Sequence, residues 1–153
     1  MSGLDVIGIR DTLLSHALSL GMFSQVSGHE PKAAPIGDLY GALWMNSMAP
    51  ARGRSGLAST TIRLEYWFRI GTNMIAEPQD DIDPKVLVAT AALMMAYSGD
   101  FELGGLAEEI DLLGMAGEGL GARAGYLDQD GRLYRIMTIT IPIIVSDVFD
   151  QSP

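Results

Sequence analysis

Residues 61–70 alternate without a break. Ile62, Leu64, Tyr66, Phe68 and Ile70 fall on one parity, and Arg63, Glu65, Trp67 and Arg69 on the other. Successive side chains of a β-strand point to opposite faces, so strict period two describes a strand with one face in a core and one outside. Trp67 is out of place on the polar face. An indole beside arginines is a common interface anchor, and cover by a loop explains it equally well.

A second segment constrains what packs on that strand. Asp83 followed by Pro84 is a helix start, with the aspartate as N-cap and the proline at the first helical position. The spacing predicts a helix to about Ser98, stopping at Gly99. Val86, Leu87, Val88, Leu93, Met94, Met95 and Tyr97 make it apolar on nearly every side. A helix apolar all round has to be covered all round. A sheet covers one face, so the other needs the first helix or another subunit.

The other elements follow from similar signals. Leu13, Leu14, Ala17 and Leu18 recur at helical spacing, which predicts a helix over about 4–20. Ser2 and Asp5 stand at its start and Gly21 at its C′ stop. His16 lies on this helix and reads as an exposed or satisfied side chain. A short strand fits 24–28. Residues 40–48 read as a strand with Tyr40, Ala42 and Trp44 on one parity. Residues 49–60 read as a loop carrying Arg52 and Arg54. Eight glycines fall in residues 99–125. A segment this long and this poorly specified is typical of functional or disordered loops, and ordering on assembly is one expectation for it. Residues 108–113 fit either a short strand or a helical turn. The chain then predicts a hairpin over about 122–146, with Asp128-Gln129-Asp130-Gly131 as its turn. Pro142 cannot donate to a ladder and predicts an edge or a bulge. These elements amount to one α+β domain over 1–153: a small two-layer fold, mostly antiparallel sheet packed by two helices, with long loops.

Composition narrows the chemistry. The 153 residues hold 19 acids and 10 bases, a formal charge of −9, which disfavours wrapping nucleic acid by phosphate neutralisation. The charge is segregated. Residues 52–70 carry four arginines against Glu65, whereas residues 77–118 carry ten acids against Lys85 alone. Such asymmetry describes surfaces and partners, and a solvated acidic face is its plainest form. There is no cysteine, which excludes disulfides, thiolate metal sites and cysteine catalysis. With only His16 and His29, a histidine metal site would need carboxylates. Asp80, Asp81 and Asp83 are explained by the helix start, and Asp128 and Asp130 by the hairpin turn rather than by half a calcium loop. Gly117-x-Gly119-x-x-Ala122 loosely matches a dinucleotide fingerprint, but no helix fits between it and the hairpin turn. No Walker lysine and no nucleophile elbow occur. The start shows no basic region followed by an apolar run, and the longest apolar run, 86–97, is too short to span a bilayer. A cytosolic setting is the expectation. No catalytic residue, cofactor or metal site is expected.

Several stretches carry a family resemblance: Ile9-Arg10-Asp11-Thr12-Leu13-Leu14, the strand 61–69, the opening Asp83-Pro84, and Gly125-Tyr126-Leu127-Asp128-Gln129-Asp130-Gly131-Arg132-Leu133-Tyr134 leading to Thr138-Ile139-Thr140-Ile141-Pro142. In this order, in an acidic cysteine-free chain, they resemble the tail terminator proteins of long-tailed, siphovirus-type bacteriophages. The resemblance implies a structural virion protein and not an enzyme. It implies a homohexameric ring on the last ring of the tail tube, ending tube growth and facing the head connector or stopper. Genome DNA would pass through the lumen without specific binding, with part of the acidic stretch lining it. The location implied is the tail or neck of a virion assembled in the bacterial cytoplasm, with no membrane. The basic and acidic stretches would then meet head to tail between copies. Arg52, Arg54, Arg63, Trp67 and Arg69 are the interface residues expected on this reading. A neck or stopper component, and a small-ligand-binding α+β domain, remain as alternatives.

Overall fold

The computed structural model describes residues 4–31, 39–51, 59–73, 82–115 and 117–150. Helix α1 spans Val6–Leu20. Its N-cap is Asp5, whose carboxylate accepts the Gly8 amide at 2.9 Å, and its C′ residue is Gly21. Ser2, the other residue expected at this start, lies outside the described residues. Strand β1 is Gln25–Ser27, β2 Leu39–Pro50 and β3 Ser59–Asn73. Helix α2 spans Ile82–Gly99. Asp83 and Pro84 thus sit inside its first turn, and the expected Asp83 capping side chain, like Asp80 and Asp81, lies outside the described residues. A 3₁₀ turn, Leu103–Gly105, leads to β4, Glu109–Ile110. Strands β5, Gly121–Gln129, and β6, Arg132–Asp150, complete the chain.

The fold is α+β, as expected. The strands form one sheet in the order β1-β2-β3-β6-β4, and β5 also pairs with β6. Among the described residues only β1–β2 is parallel; the other four pairings are antiparallel. Strand β6 is the organiser. One edge pairs with β3 along nearly its whole length, and the other is shared by β5 near its start and β4 further on. Pro142 falls in the gap between those two partners, while its carbonyl accepts the Asp111 amide at 2.8 Å. The proline is therefore in a central strand, and its nitrogen, which cannot donate, falls between the β5 and β4 pairings rather than within either. The hairpin turn is also tighter than expected. The strands close to the two residues Asp130 and Gly131, with φ of 55° and 74°, as a two-residue primed turn requires.

Both helices lie on one face of the sheet, α1 over β1 and β2, α2 over β3 and β6. Ile9, Leu13 and Ala17 repeat every four residues along α1, and Val86, Ala89, Leu93 and Tyr97 follow at spacings of three and four along α2. They close on Leu64, Tyr66, Phe68 and Ile70 of β3 and Ile139, Ile141 and Ile143 of β6. Each such large side chain contributes about 1.5–3 kcal/mol relative to exposure. Polar pins join α1 to α2 and its C-terminal end. The Tyr97 hydroxyl donates to the Leu13 carbonyl at 2.9 Å, and His16 Nε2 stands 2.8 Å from Asp100 Oδ2. His16 is thus the satisfied side chain its position implied.

The sheet curls into a half-barrel. Gln129 at the end of β5 donates to the Pro31 carbonyl, just past β1, at 3.1 Å, so the two edges approach at one end. A second cluster fills that end on the face turned away from the helices: Tyr40, Tyr134, Ile136 and Leu127. The Tyr40 and Tyr134 rings meet edge to face at 5.8 Å although β3 runs between their strands. Gly71 makes the approach possible, because a Cβ there would lie 2.6 Å from the Tyr40 ring.

Candidate interaction surfaces

Of the five expected interface residues, the structure brings three together. Arg63, Trp67 and Arg69 project from the sheet face opposite α1 and α2. Arg52 and Arg54 lie outside the described residues. Register adds a residue that sequence reasoning left unused: Trp44 pairs directly with Trp67. The two indoles meet edge to face at 6.4 Å, and the Arg69 guanidinium lies 4.9 Å over the Trp44 ring. Trp67 is accordingly half-buried, held by its neighbours rather than displayed alone. Trp44 shares the parity of Tyr40 and Ala42, which was the signal available for placing it here.

Charges on this face are mostly matched within the chain. Arg63 reaches Glu65 at 3.1 Å and donates to the Glu118 carbonyl at 2.8 Å. The arginine and the glutamate are 15% and 13% exposed at the side chain, so this pair is shielded enough to fix the link between β3 and the glycine-rich segment. Arg123 meets Glu118 at the surface at 3.4 Å. Burial pushes the Tyr40 phenol up to about 12, partly offset by the neighbouring Arg69 charge. A hollow of about 290 Å³ opens between Glu65, Trp67, Glu118, Arg123, Thr138 and Thr140.

The glycine-rich segment is more ordered than its composition implies. Asp111 is buried, and its Oδ1 accepts both the Gly114 and Met115 amides, at 3.1 and 2.8 Å. The Asp111 carbonyl takes the Leu120 amide at 3.1 Å, closing the loop on itself. Leu113 and Met115 stand out from this folded loop, 89% and 82% exposed. No helix follows Gly117 and Gly119, because Gly121 already begins β5.

Helix α2 resolves its all-round apolar sequence into two sides. Val86, Ala89, Leu93 and Tyr97 are buried, whereas Leu87, Val88 and Met95 are 52%, 56% and 74% exposed. Neither the sheet nor α1 covers the outer stripe. Among the described residues no group of three or more His, Asp or Glu side chains stands close enough to hold a metal ion. No described helix is long and apolar enough to cross a membrane.

No protein-family model and no curated protein matches the chain. Among solved structures it is similar to one described as the sheath/tube terminator, in the extended state, of the extracellular contractile injection system PVC. The likeness covers 99% of this chain and 60% of that one, at 9% identity and a TM-score of 0.44. The chain thus spans about three fifths of the length of that terminator. At this level the likeness concerns the arrangement of elements and assigns no role.

Proposed function

We propose that the chain is a structural subunit of a tail-like assembly, forming a ring that terminates a tube. On this reading it is the tail terminator of a siphovirus-type particle, a hexamer set between the tail tube and the head connector or stopper. The observation that carries the reading is the outer stripe of α2. A domain with a complete core of its own still exposes Leu87, Val88 and Met95 side by side on one helix face, and exposed apolar patches of this kind mark interaction surfaces. The resemblance carried by the segments around Ile9, Asp83 and Gly125 supplies the kind of assembly. The Trp44–Trp67–Arg69 face is the second surface proposed for contacts between subunits or with the tube. Arg52 and Arg54 are proposed to meet acidic groups of a neighbour. The acidic stretch favours a lumen through which DNA slides without being gripped, since like charge prevents phosphate neutralisation.

A tube-growth assay tests the proposal. Purified chain added to polymerising tail-tube subunits should halt elongation and narrow the length distribution, and a Leu87→Ser, Met95→Ser variant should not. Tubes that grow to the same lengths with and without the natural chain would refute it. Growth halted by an occupant of the neck side alone would favour a stopper role.

A further inference from the structure

Register builds a small grid on the sheet face opposite the helices. Thr138 of β6 lies between Arg69 of β3 and Arg123 of β5, Thr140 between Trp67 and Gly121, and Ile136 between Gly71 and Gly125. Neighbouring strands stand about 4.8 Å apart, and the hollow of about 290 Å³ lies over this grid. Glycine weakens a strand unless a bulge, a bend or a close approach calls for it. At Gly71 the Tyr40 ring is that approach, whereas a methyl at Gly125 would meet nothing nearer than Ile136 at 3.7 Å. The β5–β6 ladder also runs past Gly125 without a register shift. Gly125 therefore leaves floor space that no side chain of this chain takes up.

The polar groups around the hollow are unevenly spent. Both Glu65 oxygens are taken, by Arg63 and Asn46, so Glu65 offers a ligand neither charge nor acceptor. The Thr138 and Thr140 hydroxyls have no partner among the described residues. Arg123 makes one contact, to Glu118 at 3.4 Å, with both side chains largely in solvent. An exposed pair of this kind contributes little, so Arg123 is free to turn to a ligand. One charge is also unmatched. Arg69, beside Thr138, meets no carboxylate among the described residues, and its Nε is buried without a hydrogen-bond partner, as is the neighbouring Tyr40 hydroxyl. A cation drawn partly out of water without a counter-charge is costly. Spent acceptors, free donors and one surplus positive charge select an anion. We propose that this hollow binds a small organic anion, whose carboxylate or phosphate oxygens accept from Arg123 and the Thr138 and Thr140 hydroxyls, whose apolar body lies against Trp67, Ile136 and Gly125, and whose charge offsets that of Arg69. The inference rests on this face alone and not on the ring reading, which a blank titration leaves standing.

The chain has two tryptophans, Trp44 and Trp67, and both are on this face, so intrinsic fluorescence reports on it. Benzoate, phenyl phosphate and neutral benzamide are titrated into the purified chain. At least one of the two anions should shift the emission saturably with a Kd of about 1 mM or tighter, with benzamide at least about tenfold weaker; the stronger anion identifies the headgroup. Arg123→Gln with Thr138→Val changes an exposed side chain and one near-isosteric one, and should weaken the anion about tenfold or more. Gly125→Val fills the floor and should abolish binding, with circular dichroism confirming the fold of both variants. No saturable shift with either anion at about 10 mM, ten times that Kd, would overturn the proposal. So would benzamide binding as tightly as the anions, or unchanged affinity in the Arg123→Gln, Thr138→Val variant. A shift produced by raising the chain concentration alone, and untouched by the anions, would give this face to a second copy and overturn it as well.

Discussion

Replacing Asp111 with alanine should loosen the glycine-rich loop and cost measurable global stability. Asp111 is 2% exposed, and a single carboxylate oxygen takes two backbone amides, Gly114 and Met115. Hydrogen bonds to a charged group are worth about 1.5–3 kcal/mol each when buried. Here the donors are on a loop whose Met115 side chain is 82% exposed. Water can therefore reach the released amides, and the low end of that range applies. The sum for Asp111→Ala is about 3 kcal/mol. Asp111→Asn keeps an acceptor oxygen but loses the charge, and about half that loss is expected. Urea denaturation reads the change as a lower midpoint at unchanged slope. Hydrogen exchange reads its location: the Gly114 and Met115 amides should lose at least about tenfold protection, while the amides of β3 follow global stability alone. A loss below about 0.5 kcal/mol, the range of an ordinary surface substitution, with both amides as protected as before, would refute the reasoning.

Other expectations are as direct. Gly71→Ala places a methyl 2.6 Å from the Tyr40 ring and should cost about 1–3 kcal/mol; in a double-mutant cycle most of the penalty should vanish in a Tyr40→Ala background, and an additive cycle would show the clash is absent. Burial raises the phenols of Tyr40 and Tyr66 to about 12 and pushes Tyr97 further in the same direction. The unfolded chain then releases these protons near pH 10 while the folded chain keeps them, so stability is retained below that pH and falls as pH rises beyond it; tyrosinate absorbance showing all five tyrosines ionised near pH 10 in folded protein would contradict this. Tyr97→Phe removes the buried bond to the Leu13 carbonyl and should lower stability by about 1–2 kcal/mol, read by thermal unfolding; an unchanged midpoint would mean the bond is not made. Arg52→Glu with Arg54→Glu should weaken assembly with neighbouring subunits or the tube, read by native mass spectrometry and tube binding, and unaltered assembly would make these two side chains bystanders.

What was legible in the sequence was whatever local periodicity encodes. The alternation of 61–70 placed Arg63, Trp67 and Arg69 on one face, and Gly21 marked the end of α1. Helix α2 shows where this runs out. Leu87 and Leu93 are equally apolar, so nothing local tells which of them faces the sheet; tertiary packing decides, burying Leu93 and leaving Leu87 out. Long-range pairing hid the rest. Strand β4 is two residues long and exists only because Ile143 and Ile144 of β6 receive it. Trp44 joined the candidate surface through its register with Trp67, and Asp111 became the loop's organiser through bonds to amides three and four residues ahead. Composition alone made the segment look unspecified. Its glycines accompany a compact turn that a single buried carboxylate holds closed.

The central claim is that copies of this chain form a ring at the end of a tube, and imaging of assembled tails tests it most directly. With a gold label on the chain, cryo-electron microscopy should show one labelled ring per tail, at the junction between tube and neck. Label spread along the tube, or label confined to single unassembled copies away from any tube end, would contradict the account.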